Sequence, residues 1–282
     1  MLFNVESDSG DRIVGYFVPD GFSDSPKLRV ASEGETLSTF VAQEDRPSLV
    51  VAGRHQSGRC GFHVDEAMVP GLSTLAEVEI RDDATELLVY RRATSAHVRR
   101  KVVRFETHLY PLWRIDERIR PSFAHFIRGA EFHGLETVTQ HLMLTNAPSS
   151  YLSGRIGHRP FAFVFDGSFD LWAMVHEPFA ELAERLLVLR KARAGGVDLL
   201  GPRDGPRFAG AADFAASLPA GDERILRRAL RDIPPEVAVK LSNPLVRQLT
   251  GTTPDDMPSG AAVGAALDAL STFKAVGLRD DP

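Results

Sequence analysis

Between Arg12 and Arg92 the chain alternates short apolar runs with turn chemistry. RIVGYFV, KLRVA, TLSTFVA, CGFHV, AEVEI and ELLVY are rich in β-branched and aromatic residues and partly alternate, the period of half-buried strands. DGFSDSP, SEGE, GRHQSGR, VPGL and RDDAT lie between them, clusters of the residues that favour turns. Short strands at regular spacing predict a small all-β sandwich over residues 1–92.

The pattern then changes. Past a basic join (Arg91, Arg92, Arg99, Arg100, Lys101, Arg104), KVVRFETHLYPLW begins like a strand. LWRIDERIRPSFAHFIRGAEF and LETVTQHLML read as helical, with Pro121 breaking or bending the first. FDLWAMV reads as a strand. FAELAERLLVLRKA is the clearest helix, with Phe179, Leu182, Ala183, Leu186 and Leu189 on one stripe and Glu181 and Arg185 at i,i+4. DERILRRALRDI, PPEVAVKLSNPLVRQL and GAAVGAALDALSTF predict later helices, and the Gly-Pro-rich GGVDLLGPRDGPRFAG predicts a loop. Strands interleaved with helices make residues 93–282 an α/β domain. No internal repeat is visible.

Composition narrows the function classes. The chain has 282 residues, 43% hydrophobic and 25% charged, as in a globular protein with a sizeable core. A net charge of −5 argues against nucleic acid as the main partner. The single cysteine, Cys60, excludes an internal disulfide and any multi-cysteine metal site, and suits a cytoplasmic protein. It reads as a buried small hydrophobe in a strand. The segment MLFNVESDSGDR does not look like a secretory leader, and no apolar run is long enough to span a membrane.

The stretch MVHEPFAELAERL holds the first candidate chemistry. Pro178 suits the first position of a helix, and a strand running into a helix N-terminus presents free N–H groups, the physics of phosphate binding. His176 and Glu177 there read either as a catalytic base with its orienter or as a polar pair facing solvent. SGRIGH precedes this corner; SNPLVRQLTG and ALDALSTFKAVGLRD follow it. In this order the elements resemble the sulfotransferase superfamily, in the branch of the carbohydrate sulfotransferases. Asn243, Arg247, Leu249 and Gly251 fit one motif of that family; Phe273, Val276, Gly277 and Leu278 fit another. The resemblance covers about residues 100–282. It implies a P-loop-type α/β domain and phosphoadenosine phosphosulfate as donor, with Ser153, Arg155, Asn243 and Arg247 holding donor or acceptor. Asn243 is expected to cap a helix opened by Pro244, and Arg247, one turn along, to point back toward an anion.

The departures from the family are specific. Its Arg-Asp-Pro stands here as His176-Glu177-Pro178, and Glu184 replaces its serine. Its lysine- and glycine-rich phosphosulfate loop corresponds to ETHLYPLW, which has neither residue. Losing a bidentate arginine and gaining a glutamate both disfavour a bound phosphate. Residues 1–92 resemble β-sandwich modules attached to bacterial glycan enzymes, through Gly15-Tyr16, Pro19-Asp20, Arg46-Pro47-Ser48-Leu49 and Gly61-Phe62. Two functions follow as expectations. The first is a divergent sulfotransferase-like protein of bacterial cell-surface polysaccharide biosynthesis or modification. The second is a non-catalytic glycan-binding or scaffolding protein that keeps the fold without the donor. Either takes a glycan or another anionic small molecule as ligand.

Other candidates are weaker. His125, His133 and His141 recur every eight residues, which does not converge on one helix face, so they read as surface histidines and not as a metal site. APSSYLSGRIGHR gathers Ser149, Ser150, Ser153, Arg155 and Arg159 around Gly154 and Gly157, either an anion cradle or a turn leading into a strand. The Arg91–Arg104 cluster reads as a solvated linker. No GxxxxGK, Rossmann glycine fingerprint, HExxH or GxSxG occurs.

Overall fold

A computed structural model describes residues 1–20, 25–144, 146–195, 200–219, 221–251 and 258–279. The chain divides into two compact units: Met1–Lys101 with Arg118–Phe126 and His133–Tyr151, and Val102–Glu117 with Ile127–Phe132 and Leu152–Pro282.

Among the described residues the first unit contains the strands β1 (Leu2–Asp8), β2 (Arg12–Val18), β3 (Lys27–Ser32), β4 (Glu35–Val41), β5 (Glu44–Asp45), β6 (Arg59–Asp65), β7 (Glu79–Asp82) and β8 (Leu88–Arg91). They form two antiparallel four-stranded sheets, in the orders β1-β2-β6-β5 and β4-β3-β7-β8. Alternation along the strands turns Phe3, Ile13 and Phe17 of one sheet and Leu28, Val30, Ile80 and Val89 of the other into one buried core. Cys60 is fully buried on β6, beside Val18 and Leu49. Arg46-Pro47-Ser48-Leu49 enters a short helix, α1 (Pro47–Val51). The basic residues at the end of this region are solvated only in part: Arg99 and Arg100 are exposed, while others are engaged. Arg92 grips Asp8 at 2.8 Å, Arg91 pairs with Glu79, and the Lys101 ammonium donates to Leu144 O at 2.9 Å.

Five further strands are β9 (Lys101–Phe105), β10 (His125–Ile127), β11 (Ser150–Gly154), β12 (Asp170–His176) and β13 (Ala275–Arg279). They make a parallel sheet in the order β10-β11-β9-β12-β13. Central β9 is buried on both faces, through Val102, Val103 and Phe105, as an inner strand of a parallel sheet must be. From β9 the chain goes first to one side (β10, β11) and then to the other (β12, β13). The carboxyl end of β9 is therefore a topological switch point, the kind of place where ligands bind in open α/β sheets.

The helices are α2 (Trp113–Ile119), α3 (Leu135–Leu142), α4 (Ala162–Phe165), α5 (Pro178–Arg193), α6 (Gly201–Ser217), α7 (Glu223–Arg231), α8 (Pro235–Leu241), α9 (Pro244–Thr250) and α10 (Gly260–Ser271). Several expectations need correction. The helical reading past Pro121 fails, because AHFIRGAEF carries strand β10 and a 3-10 turn. PPEVAVKLSNPLVRQL is two helices, parted at Asn243, whose φ of +43° no helix continues through. The loop expected over GGVDLLGPRDGPRFAG is helix from Gly201 onward; residues 196–199 lie outside the described residues. Pro202 falls in the first turn, where its missing N–H costs nothing, and Leu200, Phe208, Ala211, Ala212 and Ala215 bury against Val188 and Leu189 of α5. Tertiary packing overrides the local glycine and proline signal. On α5 the buried face is Glu181, Arg185, Val188 and Leu189, while Phe179 stands 82% exposed, so the expected stripe is rotated.

Candidate functional site

The carboxyl edge of the parallel sheet is built within the second unit from the ends of β9, β11 and β12. Strand β9 runs directly into Glu106, Thr107, His108 and Leu109, all buried. Arg104, inside the strand and 2% exposed, forks onto Asp116 with Nη2 at 3.0 and 2.9 Å from its two oxygens. Its Nη1 donates to Glu106 Oε2 at 2.9 Å. Glu106 also accepts from the backbone N–H of Leu112 at 2.8 Å and of His108 at 3.3 Å. Its Oε1 lies 2.8 Å from His108 Nδ1. Burial by itself raises a carboxyl pKa, but here the His108 hydrogen bond, the Arg104 charge and the Leu112 N–H outweigh it and hold Glu106 down at about 2. The acid is therefore ionised, and His108 carries its proton on Nδ1 toward it. His108 Nε2 is buried with no hydrogen-bond partner among the described residues. The His108 ring lies 5.8 Å from that of His176, centroid to centroid.

Strand β11 ends in Gly154-Arg155. Gly154 has φ +148°, and a Cβ there would meet Ala130 N at 2.3 Å and Glu131 Oε2 at 2.5 Å, so only glycine lets that segment close on the edge. Arg155 is held from both sides: Nε reaches Asp204 at 2.7 Å and Nη1 reaches Glu131 at 3.2 Å, while its backbone N–H donates to Glu131 Oε2 at 2.9 Å. Ser153, on β11, is buried, and its Oγ has no hydrogen-bond partner among the described residues. The serine-rich stretch thus runs into the strand itself, with Ser149 just before it and Ser150 and Ser153 on it, all three buried.

Strand β12 ends at His176, and Pro178 opens α5 as the sequence predicts. Glu177 does not orient His176. It is the N-cap residue of α5, its side chain accepting from Ala180 N at 2.8 Å. The expected Glu181–Arg185 pair exists at 2.9 Å, buried, and Arg185 donates also to Thr107 O. Burial pulls the Arg185 pKa below its ordinary value, with Glu181 opposing. Glu184, where the family resemblance expects serine, pairs with Arg279 at 2.6 Å.

The α9 motif is split in direction. Asn243 sits at the N-cap position but makes no side-chain cap hydrogen bond. Arg247 is buried and turned onto α8, donating to the carbonyls of Val239 and Lys240, the latter at 3.0 Å. Its neighbour Gln248 faces the sheet edge, donating to Glu106 O at 3.2 Å and Ile156 O at 2.9 Å.

The edge therefore unites His176, Arg155 and Ser153 with three residues that sequence reasoning missed, Glu106, His108 and Gln248. The Glu-x-His spacing after a buried strand was the available signal. Every guanidinium named on this edge is matched by a carboxylate: Arg104 by Asp116 and Glu106, Arg155 by Asp204 and Glu131, Arg185 by Glu181, Arg279 by Glu184. Breaking a buried pair of this kind from one side costs about 3–5 kcal/mol.

The three regularly spaced histidines are not all on a helix surface. His125 lies on β10 and His141 on α3, both buried in the first unit with rings 6.4 Å apart. Among the described residues no cluster of His, Cys, Asp or Glu is arranged to hold a metal, and no helix is long and apolar enough to cross a membrane. Compared with protein-family models, curated proteins and solved structures, the chain matches none of them.

Proposed function

We propose that residues 93–282 are a divergent sulfotransferase-like domain of bacterial cell-surface polysaccharide metabolism that no longer binds a phosphosulfate donor, and that the protein serves as a glycan-binding or scaffolding component. The observation that carries this reading is the Glu106 carboxylate. It lies in the loop after the central strand, where a donor's phosphosulfate would meet backbone amides, and it already accepts from two of them and from Arg104. Glu177 likewise occupies an amide of the α5 N-terminus. Phosphoadenosine phosphosulfate does not fit these residues, since both anion-binding positions hold carboxylates that repel it. An edge whose charges are already paired suits a ligand recognised by hydrogen bonding more than by charge.

One observation favours a catalytic reading. Glu106 engages Nδ1 of His108, and the His108 ring lies 5.8 Å from the His176 ring, two imidazoles close enough for a substrate hydroxyl between them to exchange a proton with either. In that reading His108 and His176, in place of the His176–Glu177 pair, move the proton of a sugar hydroxyl.

Affinity electrophoresis through gels containing neutral or anionic bacterial polysaccharide tests the glycan half of the reading. Retardation by at least one polysaccharide, reversed by its oligosaccharides, is expected. Unaltered mobility in all of them counts against glycan binding.

A further inference from the structure

Four donors converge on one carboxylate after β9: Arg104 Nη1, the N–H groups of Leu112 and His108, and His108 Nδ1. Part of the set, Arg104 and the backbone of the loop, is anchored independently of that carboxylate. Asp116 grips Arg104 through two oxygens, and the Arg155 guanidinium donates to His108 O at 3.4 Å. Gln248 holds the carbonyl of Glu106 itself. Arg104 also faces one more carboxylate than its own charge balances, so the second negative charge is held by backbone amides and His108. A concave array of N–H groups with a fixed cation is the physical definition of an oxyanion site.

We propose that the segment Glu106–Leu112 is an oxyanion loop filled in cis: the Glu106 carboxylate is a built-in ligand, and removing its side chain opens a site for a free oxyanion such as sulfate or phosphate. The chain thereby blocks its own anion site. This deepens the proposed loss of donor binding and rests on it, because a cis ligand excludes the anionic end of any donor from the switch point.

The test is thermal unfolding of full-length wild type, Glu106→Ala and Glu106→Gln in sodium sulfate, sodium phosphate and sodium chloride at equal ionic strength. Sulfate and phosphate stabilise most proteins by exclusion from their surface, so the readout is the difference between variant and wild type. Glu106→Ala is expected to gain several degrees beyond wild type, saturably, in sulfate and phosphate. Glu106→Gln, which keeps the site filled, is expected to gain nothing beyond wild type. If Glu106→Ala does not fold in chloride, recovery of its native circular dichroism on refolding into sulfate or phosphate is the expected result. Equal shifts in wild type and Glu106→Ala, equal shifts in the two variants, or a Glu106→Ala protein that folds in none of the salts would each overturn the inference. Tight binding of a nucleotide bisphosphate to wild type overturns the function reading instead, so the two failures are distinguishable.

Discussion

Glu177 Oε2 lies 2.8 Å from the backbone nitrogen of Ala180, so the helix opened by Pro178 carries its own anion at its first turn. The corner that looks made for a phosphate is closed by the residue that stands where the sulfotransferase resemblance implies aspartate.

Removing that cap has a predictable cost. Glu177→Ala is expected to destabilise the protein by about 0.5–1 kcal/mol, the lower part of the range for N-cap loss because the residue is exposed. Urea unfolding measures it. An unchanged midpoint means the capping hydrogen bond contributes nothing in solution.

Arg247 carries a second expectation, now different from the one its sequence suggests. Its guanidinium is buried on the carbonyls that end α8 and does not face the sheet edge. Arg247→Ala therefore leaves two carbonyls without their donor and is expected to cost about 1–3 kcal/mol. Chemical denaturation decides. A substitution without effect on stability would return Arg247 to the candidates for ligand binding.

The buried histidines set a pH response. Burial, reinforced by the Arg91 and Lys101 charges, pushes His125 down to about 3, and burial with the neighbouring His125 pushes His141 to about 3. Both are neutral in the folded protein, while the unfolded chain binds protons below its ordinary pKa of 6.5. Their contribution is thus fully present above pH 6.5 and is lost as pH falls toward 3, by up to about 1.4 kcal/mol per pH unit for each histidine. Glu106 acts in a lower window, since its depressed pKa gives stability that is lost only below its ordinary value of 4.5. Melting temperatures between pH 7 and 5 should fall in wild type and fall less steeply in His141→Gln. Parallel profiles would contradict the assignment.

How legible the fold was depended on whether its cause is local. RIVGYFV is strand β2 residue for residue, and all of FDLWAMV but Phe169 lies in β12, because period-2 alternation and β-branching act over a few residues. Pro178 marked the start of α5 for the same reason, its fixed φ being a property of one residue. The helix at Gly201 was illegible because its glycines and prolines are overruled by packing on α5, a contact between distant residues. The histidines misled likewise: even spacing in sequence says nothing once His125 lies on a strand and His141 on a helix. His176 was found through its place at the end of a strand. The Glu106–His108 pair is illegible to a motif that calls for a lysine and glycines in that loop, because a carboxylate there reads as an absence until its four donors are in place.

The central claim is that the carboxyl edge of the parallel sheet holds its own carboxylates where a donor's phosphates would sit. Isothermal calorimetry of the wild-type protein with adenosine 3′,5′-bisphosphate tests it most directly. The account predicts no binding heat beyond dilution at millimolar ligand. A saturable titration with micromolar affinity would contradict it, because the nucleotide would then have found cations that the ion pairs of Arg104, Arg155 and Arg185 do not leave.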